Sequence, residues 1–227
     1  MLRSALLAAA LISAPLAAQP IDASHPTVVE LYQSQGCSSC PPAITNLNAI
    51  ADRPDILALT FAVTYWDQLG WKDTFASAAQ TSRQWDYARG LHHDQVWTPQ
   101  VIVDGTTDVV GAQHGQIEGA LKGVRRHAGP ALTLTADSVA VGSGSVAAGG
   151  ADVWLVRYDP RTIAVAIRAG ENTGRTIGHR NVVRQLVKLG KWDGAAATLK
   201  LPAAAPGLLT AVLVQTSGGP ILAAVRG

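Results

Sequence analysis

The chain contains 227 residues, with 18 Lys and Arg against 16 Asp and Glu and a formal net charge of +2. This near balance, without a basic stripe or an acidic tail, lacks the usual signals of a nucleic-acid-binding protein, and we predict no nucleic-acid partner. A mature chain of about 210 residues is long enough for one large domain or two small ones.

The N-terminus is typical of a secretory signal peptide. Arg3 supplies a positive charge, an apolar run follows from Ala5 to about Ile12, and Ala18 precedes the expected cleavage site. The run is too short to remain as a membrane-spanning helix, although an uncleaved anchor is the alternative. We therefore predict a signal peptide over residues 1–18 and a periplasmic or secreted protein without a membrane span after cleavage.

The first half of the mature chain alternates predicted strands and helices. Apolar, β-branched runs indicate the strands, and apolar residues at helical spacing indicate the helices. In chain order they are a strand Thr27–Tyr32, a helix from the cysteines to Ile50, a strand Ile56–Val63, a helix Thr74–Leu91 capped by Asp73, a hairpin of Gln100–Val103 with Thr107–Gly111, and a helix His114–His127. Strand–helix–strand units predict an α/β fold with a parallel pair of strands.

The pattern changes from Ala131 onward, where short strand-like runs recur between Gly- or Pro-containing turns. The runs are Leu132–Val141, Asp152–Tyr158, Thr162–Arg168, Val182–Leu189, Ala196–Leu201, Leu209–Gln215 and Ile221–Val225. They predict an antiparallel module resembling a β-sandwich. The predicted domains are therefore residues 19–130, an α/β domain, and residues 131–227, a β-rich C-terminal module.

The motif QGCSSCPP holds both cysteines of the chain, Cys37 and Cys40, at the start of the first predicted helix. The partial positive charge of a helix N-terminus stabilises a thiolate. This position predicts that Cys37 is an exposed nucleophile and Cys40 the resolving thiol. Two alternatives remain open: a metal site, which needs further ligands that we do not find at suitable spacing, and a structural staple.

Glu30 is a candidate proton acceptor for Cys40. It shares one face of the first strand with Val28 and Tyr32, whereas Val29 and Leu31 point to the other face. If the face of Glu30 is interior, its buried carboxylate could take the proton of the attacking thiol. The alternative is an ordinary Glu in solvent.

These elements resemble the thioredoxin fold: a strand, a pair of cysteines at the next helix, and Thr98-Pro99 before the strand Gln100–Val103. The resemblance implies that Pro99 is a cis proline packed against the cysteines and that Thr98 pairs with the bound substrate. The chain departs from that pattern in having Gly36 before the first cysteine. Its acidic residue, Glu30, also lies one position further from that cysteine than is usual.

The chain also resembles the secreted family called domain of unknown function 1223, which is itself thioredoxin-like. The resemblance covers nearly the whole mature chain. It rests on four strings, VELYQSQGCSSCPPA (29–43), TYWDQLGWKDTFA (64–76), WTPQVIVDG (97–105) and ENTGRTIGHRNVVR (171–184). The resemblance implies the fold and export, and it implies little about a substrate.

Aromatic residues follow the second strand, at the edge of the sheet where ligands of parallel α/β folds bind. Trp66, Trp71 and Trp97 could wall a groove beside Cys37, or they could only pack a helix onto the sheet. The loop His92–Asp94 could hold a metal or tune a thiolate, or could be a solvated connection.

The polar segment from Glu171 to Arg180 is unusual within the β-rich module. It could reach back over the cysteines, in which case Arg175 or His179 would stabilise a thiolate. A simple hairpin connection is the alternative.

The sequence therefore predicts an exported thiol–disulfide oxidoreductase that acts on protein thiols or disulfides without a cofactor or a metal. Its predicted catalytic residues are Cys37, Cys40 and Glu30, and its predicted substrate-binding residues are Thr98, Pro99, Trp66 and Trp71. The alternative function is a non-catalytic binding module on a thioredoxin-like scaffold, with a structural disulfide.

Overall fold

The structure is a computed structural model that describes residues 22, 24–125 and 128–227 of the chain. The predicted signal peptide, residues 1–18, lies outside the described residues, and so does the predicted end of the third helix at His127. Within the described part of the chain, every helix is too short or too polar to cross a membrane.

The first half alternates strands and helices, as the sequence predicts. The elements are β1 (Thr27–Gln33), α1 (Cys40–Ile50), β2 (Ile56–Ala62), α2 (Ala78–Gly90), β3 (Gln100–Val103), β4 (Thr107–Val110) and α3 (His114–Gly123). Strands β1 and β2 are parallel, whereas β3 is antiparallel to both β1 and β4. The predicted parallel pair and the predicted hairpin are therefore confirmed.

Helix α2 begins four residues later than the sequence predicts. The hydroxyl of Ser77 accepts a hydrogen bond from the N–H of Gln80 at 3.3 Å and caps the helix at Ala78. The carboxylate of Asp73, the predicted cap, instead accepts hydrogen bonds from the N–H groups of Gln35 and Phe75.

The C-terminal half, residues 128–227, contains nine strands and no helix. They are β5 (Leu132–Leu134), β6 (Ser138–Val141), β7 (Ala151–Asp159), β8 (Ile163–Ala166), β9 (Thr176–His179), β10 (Val182–Trp192), β11 (Ala197–Lys200), β12 (Leu209–Gln215) and β13 (Ile221–Arg226). The predicted run 132–141 is two strands because Thr135 and Ser138 close a turn between them. Strand β9 lies in the segment that the sequence identifies as an unusual polar loop.

The two halves share one sheet of eight strands in the order β13-β12-β7-β10-β2-β1-β3-β4. The protein is thus a mixed α/β protein with a large, mostly antiparallel sheet. Four strands of the predicted C-terminal module extend this sheet, while β11-β6-β5 form a second sheet and β8-β9 a separate hairpin. The division into two domains at residue 130 stays a prediction.

The halves are joined at the start of β10, where Val182 pairs with Thr60 of β2. The N–H of Thr60 donates to the carbonyl of Asn181 at 2.9 Å, and its hydroxyl donates to the carbonyl of Arg180 at 2.8 Å. The side chain of Asn181 donates to the carbonyl of Ala58 at 2.8 Å. Asn181 has φ 49°, a left-handed conformation that Asn tolerates better than most residues.

The two faces of the large sheet carry different helices. Val29 and Leu31 of β1 share a buried apolar cluster with α1, α3 and both cysteines. Val28 and Tyr32, which point the other way, share a cluster with Tyr87 of α2. Side chains of β1 therefore alternate between the cysteine face and the α2 face.

Asn181 provides a test of this junction. We expect Asn181→Ala to lower the free energy of unfolding by about 2 kcal/mol, because it removes a buried hydrogen bond and places a Cβ-bearing residue without a polar side chain at positive φ. Asn181→Gly loses the same hydrogen bond without the strain, so it should be less harmful by roughly 1 kcal/mol. Urea unfolding of both variants measures this difference, and equal losses would contradict the proposed role of the backbone conformation.

Candidate functional site

Cys37 and Cys40 form a disulfide at the start of α1, with their Cα atoms 5.4 Å apart. Cys37 lies in the turn before the helix, and Cys40 is the first helical residue. The N–H of Cys40 donates to the carbonyl of Cys37 at 3.1 Å, and the hydroxyl of Ser39 lies 3.2 Å from the Cys37 sulfur. The predicted position of the cysteines at a helix start is confirmed.

The prediction that Cys37 is exposed is wrong. Both cysteines have 0% of their surface accessible, whereas Ser38 and Ser39 between them are exposed. A segment from the C-terminal half lies against the turn. It comprises residues 170–174, between β8 and β9, and we call it the covering segment.

The covering segment holds the turn by two side chains. The amide nitrogen of Asn172 donates to the carbonyls of Gln35 at 2.9 Å and Cys37 at 2.8 Å, and Asn172 is fully buried. The carboxylate of Glu171 accepts a hydrogen bond from the N–H of Ser38 at 3.0 Å. Of the two alternatives for this polar segment, the structure therefore favours the one in which it reaches back to the cysteines.

Glycine lets the covering segment approach so closely. Gly170 and Gly174 have φ of 73° and 83°, a region that favours glycine. A Cβ on Gly170 would also lie 3.2 Å from the Cβ of Trp71, so a larger residue would push the segment away from this tryptophan.

Of the two residues expected to stabilise a thiolate, His179 does not have that role, and the role of Arg175 stays a prediction. Arg175 is exposed at a groove beside α1. His179 is buried with its ring edge-on to Phe75, 5.5 Å between centroids, and its ring nitrogens have no hydrogen-bond partner among the described residues. Burial lowers the pKa of His179 to about 4, so its ring is neutral at neutral pH and supplies no positive charge to a thiolate.

Two of the four predicted substrate-binding residues, Trp66 and Trp71, pack against the cluster that contains the cysteines, and Thr98 is bonded to Trp66. The Thr98–Pro99 peptide bond is cis, which confirms that prediction. The indole N–H of Trp66 donates to the Thr98 hydroxyl at 2.8 Å, and that of Trp71 donates to the side-chain oxygen of Gln35 at 2.9 Å. Both tryptophans pack against the apolar cluster that contains the cysteines. Their role in substrate binding stays a prediction.

Asp73 is a site residue that the sequence suggests only as a helix cap. Its carboxylate is 2% exposed and accepts hydrogen bonds from the N–H of Gln35 at 2.7 Å and the N–H of Phe75 at 2.8 Å. Burial raises the pKa of Asp73 to about 6, although these hydrogen bonds oppose the rise. Asp73 and Asn172 thus bind the N–H and the carbonyl of the same residue, Gln35.

Glu30 is buried, 1% exposed, but every contact of its carboxylate lies away from the cysteines. Arg83 donates to both oxygens, at 2.9 and 2.7 Å, while the hydroxyls of Tyr32 and Tyr87 donate at 2.7 and 2.8 Å. The guanidinium of Arg83 also lies over the ring of Trp154, 5.2 Å from its centroid. The carboxylate is therefore a structural counter-ion.

The geometry does not favour the predicted proton transfer from Cys40 to Glu30, which stays a prediction. The face of Glu30 is interior, as the first alternative requires, but it is the α2 face of the sheet. The cysteines lie on the opposite face, in the cluster of Val29 and Leu31. Side chains alternate along β1, so Glu30, like Val28 and Tyr32, points to the face opposite the cysteine cluster.

The loop with two histidines also has a structural explanation. His93 lies 3.1 Å from a carboxylate oxygen of Asp108 and packs edge-on to Trp97. Across the described ranges, no group of three or more His, Cys, Asp or Glu side chains is arranged to hold a metal ion.

A mixed α/β protein with a buried disulfide at the start of a helix is the class that this fold and site define. The chain belongs to the family described as protein of unknown function DUF1223, which matches residues 28–215. A search of the curated proteins finds no match.

Two solved structures are similar to the chain. A crystal structure of a protein from Agrobacterium tumefaciens is 32% identical with a TM-score of 0.72, over 92% of this chain and 95% of that one. HBP35 of Porphyromonas gingivalis is 10% identical with a TM-score of 0.58, over 90% of this chain and 75% of that one. The second likeness concerns the fold alone.

The ion pair of Glu30 allows a direct test of its role. We expect Glu30→Gln to lower the free energy of unfolding by about 3–5 kcal/mol, because it leaves the guanidinium of Arg83 buried without a counter-charge. The double variant Glu30→Gln/Arg83→Met should recover part of this loss in urea unfolding. After the disulfide is reduced, the pH dependence of cysteine alkylation should be the same in Glu30→Gln and the wild type, and a shifted profile would restore Glu30 as a proton acceptor.

Asp73 makes stability depend on pH. Its pKa rises from an ordinary 3.8 to about 6 on folding, so between these values the unfolded chain has lost the proton that the folded protein keeps. Stability should therefore fall as pH rises from about 4 to about 6, by roughly 1.4 kcal/mol per pH unit from this group. Urea unfolding across this range should show the fall in the wild type relative to Asp73→Asn. The same dependence of the free energy of unfolding on pH in both proteins would contradict this effect of Asp73.

His179 should act in the opposite direction. Its pKa falls from 6.5 to about 4 on folding, so the unfolded chain binds a proton that the folded protein does not. This contribution to stability is lost as pH falls from about 6.5 to about 4. His179→Phe removes the titration while keeping a ring beside Phe75. The stability of the wild type relative to this variant should rise with pH over that range, and a flat difference would refute the effect.

Proposed function

We propose that the protein is an exported thiol–disulfide oxidoreductase whose Cys37–Cys40 pair exchanges with protein thiols or disulfides. The observation that carries this proposal is a disulfide across the first turn of a helix, with the turn held by Asp73 and Asn172 from distant segments. A bridge between residues so close in sequence constrains the unfolded chain less than a long loop does. Stabilisation of the folded protein therefore explains the presence of this disulfide poorly.

We further infer that residues 19–130 form a thioredoxin-like domain. The strand order β2-β1-β3-β4, with the cysteines at the helix between the parallel strands, supports this inference. The cis bond at Thr98–Pro99 agrees with the resemblance as well.

The exchange takes place in two steps when a protein dithiol is the substrate. A substrate thiolate attacks the sulfur of Cys37, the Cys37–Cys40 bond breaks, and Cys40 leaves as a thiolate that then takes a proton. The second substrate thiolate attacks the substrate sulfur of the mixed disulfide and releases Cys37. The substrate loses two electrons to form its disulfide, and the protein gains them. A disulfide substrate reverses each step, with Cys37 attacking and Cys40 resolving.

The surroundings of Cys37 set a condition on this reaction. Because Cys37 is inaccessible and Asn172 of the covering segment binds its carbonyl, we propose that this segment moves before a substrate reaches Cys37. Thr98, whose hydroxyl is held by Trp66, would then pair with the substrate backbone, as the resemblance implies. Trp71 would lie on the other side of the exposed sulfur, through its bond to Gln35.

Export is part of the proposal. It rests on the signal-like segment 1–18 and on the disulfide, because disulfides persist in oxidising compartments such as the periplasm and the extracellular space.

The burial of Cys37 and Cys40 also favours a second function. With both cysteines fully covered, the disulfide could be structural, on a thioredoxin-like scaffold that binds a partner. A groove of about 350 Å³ beside the first turn of α1, lined by Pro41, Thr45 and Arg175 among others, is a candidate surface for such binding.

The reduction potential of the pair distinguishes the two functions. Structural disulfides of secreted proteins generally have potentials below about −300 mV, and exchanging ones lie above it. We expect equilibration in glutathione and dithiothreitol buffers to place the wild type above this value. A lower value would favour the structural disulfide.

A trapping experiment gives independent evidence. Cys40→Ala should accumulate a mixed disulfide at Cys37 with a model dithiol peptide that has been oxidised, since the resolving thiol is missing. Cys37→Ala, which keeps the predicted resolving cysteine, is the matched control and should accumulate little. Folded Cys40→Ala protein without any adduct would count against the oxidoreductase.

A further inference from the structure

The start of α1 carries a carboxylate where a thiolate is expected to need positive charge. Glu171 accepts a hydrogen bond from the N–H of Ser38, the residue that follows Cys37. Hydrogen bonding with Ser38 lowers the pKa of Glu171, so its side chain is ionised at neutral pH. A full negative charge therefore lies one peptide unit from the nucleophilic cysteine.

This arrangement opposes the usual activation of a cysteine at a helix start. Free N–H groups before the first turn stabilise an anion, and a cysteine there becomes more acidic for that reason. Here the N–H of Ser38 is already occupied by Glu171. A thiolate at Cys37 would add a second negative charge beside the first, and like charges disfavour ionisation.

The other charged groups near the turn do not cancel this effect. Asp73, on the segment after β2, is bonded to the N–H of Gln35 and adds no positive charge. Asp67 accepts from the N–H of Asp73 on the same segment. His179 on β9 is neutral, and Arg175 is exposed at the groove. Of these groups and Glu171, only Glu171 bonds to the peptide between the cysteines.

We propose that Glu171 is a positioning residue that acts through the N–H of Ser38, making Cys37 a weaker acid and the disulfide harder to reduce. The inference rests on the proposed exchange function. The reduced form of a disulfide is stabilised when its thiols ionise, so a carboxylate that suppresses ionisation favours the oxidised form. The covering segment therefore closes the site and also tunes its chemistry.

The test compares the substitution Glu171→Gln with the native Glu171, both in protein that carries Cys40→Ala, where Cys37 is a free thiol. Glu171→Gln keeps an oxygen to accept from Ser38 and removes only the charge. The ultraviolet absorbance of the thiolate, followed against pH, reports ionisation whether or not the sulfur is accessible. We expect the titration midpoint to fall, with a roughly three- to ten-fold larger ratio of thiolate to thiol at a fixed pH.

Two controls separate charge from structure. Asp193→Asn removes a charge from the exposed turn after β10, where the carboxylate accepts from the N–H of Ala195, and should leave the midpoint unchanged. The shift caused by Glu171→Gln should shrink as salt is added, because the charge is exposed and screened. An unchanged midpoint in Glu171→Gln, or an equal shift in Asp193→Asn, would overturn the proposal.

A second measurement uses the intact cysteine pair. In a glutathione buffer, Glu171→Gln should move the equilibrium a few-fold towards the reduced protein, and an unchanged or opposite equilibrium would refute the inference. The midpoint measurement needs no substrate and no turnover. A failure of the trapping experiment would therefore refute the oxidoreductase function while leaving the effect of Glu171 on Cys37 measurable.

Discussion

Gln35 and Cys37, in the turn before α1, are buried, so their peptide groups must find partners within the protein instead of water. This requirement organises the site. Asp73 accepts from the N–H of Gln35, while Asn172 donates to the carbonyls of Gln35 and Cys37. These two side chains come from segments 38 and 137 residues away from Gln35, and together they hold the backbone before the disulfide.

The large sheet separates two kinds of buried polar chemistry. On the α2 face, Glu30 and Arg83 satisfy one another with help from two tyrosine hydroxyls, and this network is complete. On the cysteine face, the polar groups are less fully satisfied: both ring nitrogens of His179 and both side-chain polar atoms of Gln33 lack partners among the described residues. The first arrangement is expected of a structural ion pair.

Local patterns in the sequence were sufficient for much of the first half. The apolar runs of β1 and β2 and the position of the cysteines before α1 were predictable, because each depends on neighbouring residues. The role of Glu30 was not, since it depends on Arg83, 53 residues away. Strand β9 was missed because TIGH contains little of the β-branched alternation that marks a strand.

The contacts of the covering segment with the cysteine turn were harder still to predict. Asn172 is 137 residues from Gln35, and the sequence suggested contact only through an unusually polar segment, without indicating which side chains make it. Arg175 and His179 were reasonable choices by charge, but the strand alternation of β9 buries the histidine, while Arg175 faces solvent. Register within a hairpin, which a single sequence specifies poorly, decided which residues reach the site.

The distance along the chain between the two parts of the site has a consequence for folding. Ser38 and Glu171 are separated by 133 residues, whereas β1, α1 and β2 are consecutive. Local contacts form before contacts that must close long loops, so the cysteines come together in space before their cover arrives. An oxidant therefore meets the thiols most easily in a partly folded chain. Completion of the fold then shields the bond that was made.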